Sequence, residues 1–282
     1  MKSLMILAIL FFANHAAAKA DSFPKIGPHF SRVVEIVFEN ENASSVNAQA
    51  DFSAVAKLGL SFTNFSAESH PSQPNYIAMI AGDTLGVLSD GSVNLKNSHL
   101  GDLLEKKNLD WRVYAESFPG NCFNGDSSGT YYRKHNPFIS FLNVSQNANR
   151  CQKIVNANEF QRDLANNTLP AYSLYVPDIN NDGHNTGVDY AGKWLTSNFG
   201  TLLSNPQFLA DTLVIITFDE SESLFGANHV YTVLFGGALR EGTSNAQAVN
   251  HVSVLKLIED EYQLGSLGAK DQSAASIQGI WK

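Results

Sequence analysis

The chain has 282 residues, enough for one large domain or two small ones. Hydrophobic residues make up 44% and charged residues only 16%, so core material is ample and the surface must carry Asn, Ser, Thr and Gln, as suits an extracellular protein. A net charge of −8 argues against nucleic acid as a partner, because phosphate backbones require a basic face.

Residues 1–20 read as a secretory signal peptide. Lys2 precedes a short apolar run from Leu4 to Ala13, and Ala16, Ala17, Ala18 and Ala20 offer small-residue cleavage sites. The run is too short to span a bilayer, and no later stretch is long enough to serve as a transmembrane segment. The mature chain, 21–282, is expected to form a single domain. Val33–Phe38, rich in β-branched residues, predicts a buried strand that ends at Glu39-Asn40. A helix is expected over Ser53–Leu58. In His70-Pro71-Ser72-Gln73-Pro74-Asn75-Tyr76, Pro74 opens a helix over Asn75–Ala81 and leaves Ser72 at its start. Free N–H groups and a partial positive charge there stabilise a phosphate or a developing alkoxide, so Ser72 is a candidate nucleophile. The plainer alternative is a helix-capping serine.

Ser98–Lys107 predicts a further helix and Trp111–Ala115 a second strand. Phe118–Cys151 breaks the alternation. It is rich in Gly, Asn and Ser, holds both cysteines and His135, and reads as a long excursion near the site. Cys122 and Cys151 are expected to pair in an oxidising compartment, at a loop-closure gain of about 3 kcal/mol; two buried thiols are the alternative. Next come a helix over Asn158–Asn166 and a strand over Tyr172–Val176, which leads to Asp182 and His184. A helix over Gly192–Leu203 and a strand over Leu213–Phe218 follow, the strand ending at Asp219-Glu220. Val230–Phe235 predicts the last strand, and His251 begins a helix over Val252–Tyr262. Sequons at Asn42, Asn64, Asn143 and Asn166 would make a glycoprotein in a eukaryotic secretory pathway.

Strands alternating with helices predict an α/β fold, a three-layer sandwich around a largely parallel sheet. Ligands of such sheets sit beyond the C-terminal strand ends, which brings Glu39, Asn40, Asp219 and Glu220 together as candidate metal ligands. Oxygen-rich ligation suits Mg, Ca or Mn and also admits Zn. The alternative places Asp219 in a turn cap and Glu220 in solvent. His135, His184 and His251 could bind phosphate oxygens or protonate a leaving group, or be structural histidines.

Six motifs now stand in order: Phe38-Glu39-Asn40, His70 to Tyr76, Arg133-Lys134-His135-Asn136-Pro137-Phe138, Asn181-Asp182-Gly183-His184, Thr217-Phe218-Asp219-Glu220 and Asn250-His251. Together they resemble the phosphoesterase family of acid phosphatases and bacterial phospholipases C, over about residues 31–265. The likeness is strongest to the small secreted acid phosphatases of fungi. The resemblance implies a fold similar to alkaline phosphatase and one divalent metal ion at Glu39, Asp219 and Glu220, with Asn40 at the metal or the phosphate. It implies that Ser72 attacks phosphorus to form a phosphoserine, and that His135 and His184 hold phosphoryl oxygens or protonate the leaving group. Asn75 and His251 would belong to the same phosphate pocket. The chain departs from the pattern at Asp219-Glu220, where some relatives carry two aspartates, and at Ala43 and Ser44, where an aromatic residue is common. The expected function is a secreted, metal-dependent hydrolase of phosphate monoesters. The alternatives are a phospholipase C-type phosphodiesterase and a non-catalytic secreted glycoprotein that keeps the fold as a binding module.

Overall fold

The Val-, Ile- and Phe-rich runs assemble into one eight-stranded sheet in the computed structural model, which describes residues 25–282. The expected signal peptide lies outside the described residues. The strands are β1 (Arg32–Phe38), β2 (Leu60–Phe62), β3 (Trp111–Ala115), β4 (Ile154–Asn156), β5 (Tyr172–Val176), β6 (Thr212–Phe218), β7 (Thr232–Phe235) and β8 (Thr243–Asn245). Their order across the sheet is β8-β2-β7-β6-β1-β5-β3-β4. All pairings are parallel except those of β7, which runs antiparallel to both β6 and β2. The central strands β1, β5 and β6 are buried along their whole length, which is why they read as near-continuous apolar runs, interrupted inside by Glu35 in β1 and Ser173 in β5.

Helices cover both faces. On one, α1 (Ala50–Leu58), α4 (Asn158–Ala165) and α5 (Val188–Leu203) deliver aromatic rings to the sheet. Phe52 and Trp194 meet Phe38 at 5.4 and 5.8 Å between ring centroids, and Phe160 meets Tyr175 at 5.4 Å. Side chains alternate along a strand, so Tyr172 faces the other way, toward Phe138. On that side α2 (Ser72–Ala81) packs against α3 (Leu100–Lys106) and α6 (His251–Tyr262). Each fully buried Val, Leu, Ile or Phe removes enough apolar surface from water to contribute about 1.5–3 kcal/mol. The sandwich is therefore the expected one.

Three details differ from expectation. The last strand starts at Thr232 and runs antiparallel, because the segment after β6 contains no crossover helix and a parallel return requires one. β2, β4 and β8 have three residues each, too short to leave a periodic signal. The helix carrying Ser72 begins at Ser72 itself rather than at Asn75. Within Phe118–Cys151 a short hairpin (Ser127–Ser128 with Tyr131–Tyr132) leads into turns at Arg133–His135 and Pro137–Ser140, and a disulfide joins Cys122 to Cys151. Among the described residues no helix is long and apolar enough to cross a membrane.

Candidate active site

Parallel pairing of β1 with β6 in the register Phe38↔Phe218 sets the next residues, Glu39 and Asp219, side by side at the C-terminal sheet edge. The Asp219 amide donates to the Phe38 carbonyl at 2.9 Å, and the Asn40 amide donates to Asp219 Oδ1 at 3.0 Å. On the other flank, beyond β5, the Glu39 amide donates to the Asp182 carbonyl at 3.1 Å. Backbone geometry thus gathers three carboxylates around one point. Ligand oxygens of Glu39, Asp219 and Glu220 lie within 4.8 Å of one another, and so do atoms of Glu39, His135 and Asp182. All five residues are buried.

Ser72 reaches the same point from the other layer. Pro71 precedes α2 and no side chain caps the helix, so the capping-serine alternative is not realised. Ser72 Oγ instead donates to Glu39 Oε1 and lies 3.0 Å from Glu220 Oε1. His70 Nδ1 contacts the other oxygen of Glu220, and the Lys134 ammonium sits 3.3 Å from Ser72 Oγ. His135 stacks on Tyr76 at 5.2 Å, with Nε2 2.9 Å from Glu39 Oε2 and Nδ1 3.5 Å from Asp182 Oδ2.

The electrostatics of this cluster are compatible with a bound cation. Burial pushes Asp219 well above the usual carboxylate range, reinforced by Glu39 and Glu220; burial and Glu39 do the same to Asp182. Burial would raise Glu39 too, but His135 and Lys134 outweigh it and hold it at about 2. Five buried atoms, Glu39 Oε2, Asn40 Oδ1, His135 Nε2, Asp182 Oδ2 and Asp219 Oδ2, have no hydrogen-bond partner. His135 Nε2 and Glu39 Oε2 are close but not aligned for a hydrogen bond. Buried polar atoms are normally satisfied, and orphans converging on one point fit a metal ion. Carboxylate and amide oxygens suit a hard divalent cation, while His135 adds a nitrogen donor acceptable to Zn.

The structure therefore brings Glu39, Asn40, Ser72, His135, Asp219 and Glu220 together, and corrects three placements. Asn75 is not in a phosphate pocket. Its Oδ1 accepts from the Glu68 and Ser69 amides and its Nδ2 donates to the Ser69 and Pro71 carbonyls, leaving no polar atom for an anion. His251 lies behind the cluster, Nε2 donating to the Asp219 carbonyl at 2.9 Å and the ring edge-on to Phe65. Burial lowers it to about 4, so it is neutral and unsuited to hold an anion. His184 is exposed, with Nδ1 3.0 Å from Asn185 Oδ1; its amide, not its ring, serves the site by donating to Asp182 Oδ1. His135 stands in a second set of candidate ligands, with Glu39 and Asp182. The sequence reading assigned no role to Lys134 or His70. Both stand inside motifs, and that was the available signal.

A sequence model described as the phosphoesterase family matches residues 37–265. The chain is 35% identical over 264 residues to an acid phosphatase of Aspergillus fumigatus, covering 89% of this chain and 59% of the relative. A probable acid phosphatase of Kluyveromyces lactis matches at 35% over 264 residues, 89% and 63% of the two chains. The chain thus spans about three fifths of the length of these fungal relatives. A phosphatidylinositol-3-phosphatase of Mycobacterium tuberculosis is 29% identical over 293 residues, covering 99% of this chain and 94% of the relative. Among solved structures, an alkaline phosphatase superfamily protein from Vibrio parahaemolyticus aligns with TM-score 0.59 at 15% identity, over 92% of this chain and 76% of that one. The phosphonate monoester hydrolase of Agrobacterium radiobacter aligns with TM-score 0.56 at 13% identity, over 89% and 79%. These likenesses show that the fold is that of the alkaline phosphatase superfamily.

Proposed function

From its membership of the phosphoesterase family, we propose that this chain hydrolyses phosphate monoesters, with Ser72 as nucleophile and a divalent cation held by Glu39, Asp219 and Glu220. The observation that carries the reading is Ser72 Oγ, at the start of a buried helix, aimed into a carboxylate cluster with orphaned oxygens. When bound, the cation supplies Lewis-acid stabilisation of charge on oxygen. His135, Asp182 and Asn40 flank the same ligands. Ser72 attacks phosphorus, its proton passing to a carboxylate it faces, Glu39 or Glu220, and on to water. The ester P–O bond breaks and the alcohol leaves with a proton from water. A water molecule then cleaves the phosphoserine and frees phosphate.

The 35% identity to fungal acid phosphatases supports the monoester reading over a phospholipase C-type diesterase. The retained cluster speaks against a non-catalytic binding module. A lipid-borne monoester is the second reading, favoured by the match over 94% of the mycobacterial phosphatidylinositol-3-phosphatase. Secretion rests on the signal-peptide pattern and on the Cys122–Cys151 disulfide, which belongs in an oxidising compartment.

The test is release of p-nitrophenol from p-nitrophenyl phosphate, with and without a chelator, beside Ser72→Ala. The expected result is loss of at least about 10³-fold in kcat for the variant and chelator-sensitive turnover in the parent. If Ser72→Ala kept more than a tenth of parental activity, the nucleophile would be another group.

A further inference from the structure

Lys134 occupies a position that the proposed chemistry has not yet used. Its ammonium lies 3.3 Å from Ser72 Oγ, 3.5 Å from Glu39 Oε1 and 3.0 Å from Asp90 Oδ2. The side chain is only 14% exposed. Both sequence neighbours are pinned: Arg133 is buried with Nη2 donating to the Val93 carbonyl at 2.7 Å, and His135 is buried against Tyr76. The turn Arg133–His135 therefore has little freedom to carry Lys134 away. Asp90 couples this turn to the nucleophile, because its Oδ1 accepts from the Gln73 amide in the first turn of α2 at 3.0 Å. A cleft of about 310 Å³, lined by Asp90, Ser92, Asp126, Tyr132 and Lys134, opens beside the ammonium.

Resting on the phosphoserine reading, we propose that Lys134 is a catalytic residue that stabilises the nucleophile side of the transition state, and that Asp90 is the positioning residue that aims it. Ser72 faces Glu39 and Glu220, and neighbouring carboxylates oppose charge on its oxygen. A fixed ammonium at hydrogen-bond distance offsets that opposition. As the Oγ–P bond forms, negative charge passes from Oγ to the equatorial phosphoryl oxygens, and an N–H now directed at Oγ can follow to the nearest of them. In an in-line displacement the leaving oxygen departs on the far side of phosphorus. A group bonded to Oγ therefore does not reach it. Lys134 transfers no proton and remains an ammonium throughout, while the P–O bond to the alcohol breaks and the alcohol takes its proton from water.

The experiment compares the parent, Ser72→Ala, Lys134→Met, Lys134→Arg and Asp90→Asn on p-nitrophenyl phosphate and on an alkyl phosphate, with thermal melts to verify folding. Lys134→Met should lose about 10²–10³-fold in kcat, as when one transition-state donor is removed. The loss should be equal for the two leaving groups, and Lys134→Arg should recover part of it. Asp90→Asn keeps an acceptor for Gln73 but loses the charge that holds Lys134. It should lose roughly tenfold in kcat, the order expected of a misplaced group, with KM nearly unchanged and the melt unaltered. This variant decides the matter should Lys134→Met not fold. Activity of Lys134→Met within threefold of the parent, or a loss confined to the alkyl ester, would overturn the assignment while leaving Ser72 in place. Parental activity in Ser72→Ala would instead overturn the phosphoserine reading itself.

Discussion

Asn75 shows how one side chain can sit within a motif of the candidate site and still bond only to backbone. Two donors and two acceptor positions are all engaged by the backbone of residues 68–71, the segment that leads into Ser72. Asn75→Ala would take away the side-chain partner of the partly buried Glu68 and Ser69 amides and of the Pro71 carbonyl, at a cost of up to about 1–3 kcal/mol each. The expected outcome is a lower melting temperature and a fall in kcat larger than any change in KM, because the nucleophile's loop loses its frame. Unaltered kcat with intact stability would show that the loop holds itself. His251 plays a similar part at Asp219. His251→Phe keeps the ring's contact with Phe65 but frees the Asp219 carbonyl. It should weaken divalent-cation binding, measured by calorimetry, without altering the pattern of esters hydrolysed.

At the scale of elements, the site depends on β1, β6 and α2 arriving at one point. The far end of α2 is closed by Gly82, whose φ of +72° lies in the left-handed region. A Cβ there would also meet Asp271 Oδ1 at 2.8 Å, and Asp271 is itself held by the Leu267 and Ala269 amides. Gly82→Ala therefore combines an unfavourable backbone conformation with a contact against a rigid carboxylate. A stability loss of more than about 1 kcal/mol is expected, read from urea unfolding. A variant as stable as the parent would mean that the helix end relaxes freely. β1 carries a different burden. Glu35 lies inside it, its Oε2 accepting from the Tyr172 hydroxyl at 2.7 Å, and burial pushes it up to about 7 despite that bond.

That carboxyl has a consequence for the whole molecule. A glutamate with a folded pKa of about 7 against 4.5 unfolded binds its proton more tightly in the native state. Its contribution is fully present below pH 4.5 and is lost as pH rises through 7, amounting to about 3 kcal/mol. Glu259, raised to about 8 by burial and then by Asp271, acts in the same direction. The fold should be more stable at mildly acidic pH than at pH 8, and Glu35→Gln should flatten the decline; an unchanged slope would remove Glu35 as its source. Without a cation the carboxylate cluster acts in the same direction as Glu35, and a bound cation should reverse it. Asp182, Asp219 and Glu220 favour protonation without a cation, so bound metal should raise the melting temperature most at neutral pH, by mass action on the native state. Addition of a chelator at pH 7 should lower the melting temperature of the parent.

The sequence by itself determined the layers, the central strands and the carboxylates at their ends. Buried parallel strands must be continuous apolar runs, and polar residues just past them have nowhere to go but the sheet edge. It also placed Ser72 at a helix start and offered the two cysteines as a pair, which the structure joins. Only the tertiary structure decided which neighbours of those motifs face inward. Whether Asn75 binds an anion or a loop depends on which backbone groups lie within 3 Å of it. Lys134 and His135 are adjacent in sequence and both reach Glu39, yet one turns on to Ser72 and Asp90 and the other to Asp182. Their turn belongs to an irregular segment without periodicity, so side-chain direction there is set by contacts from α2 and the strand ends. The direction of β7 was likewise open, because a buried apolar run reads the same both ways. Local chemistry names the groups a site can use, and packing across distant segments assigns each one its partner.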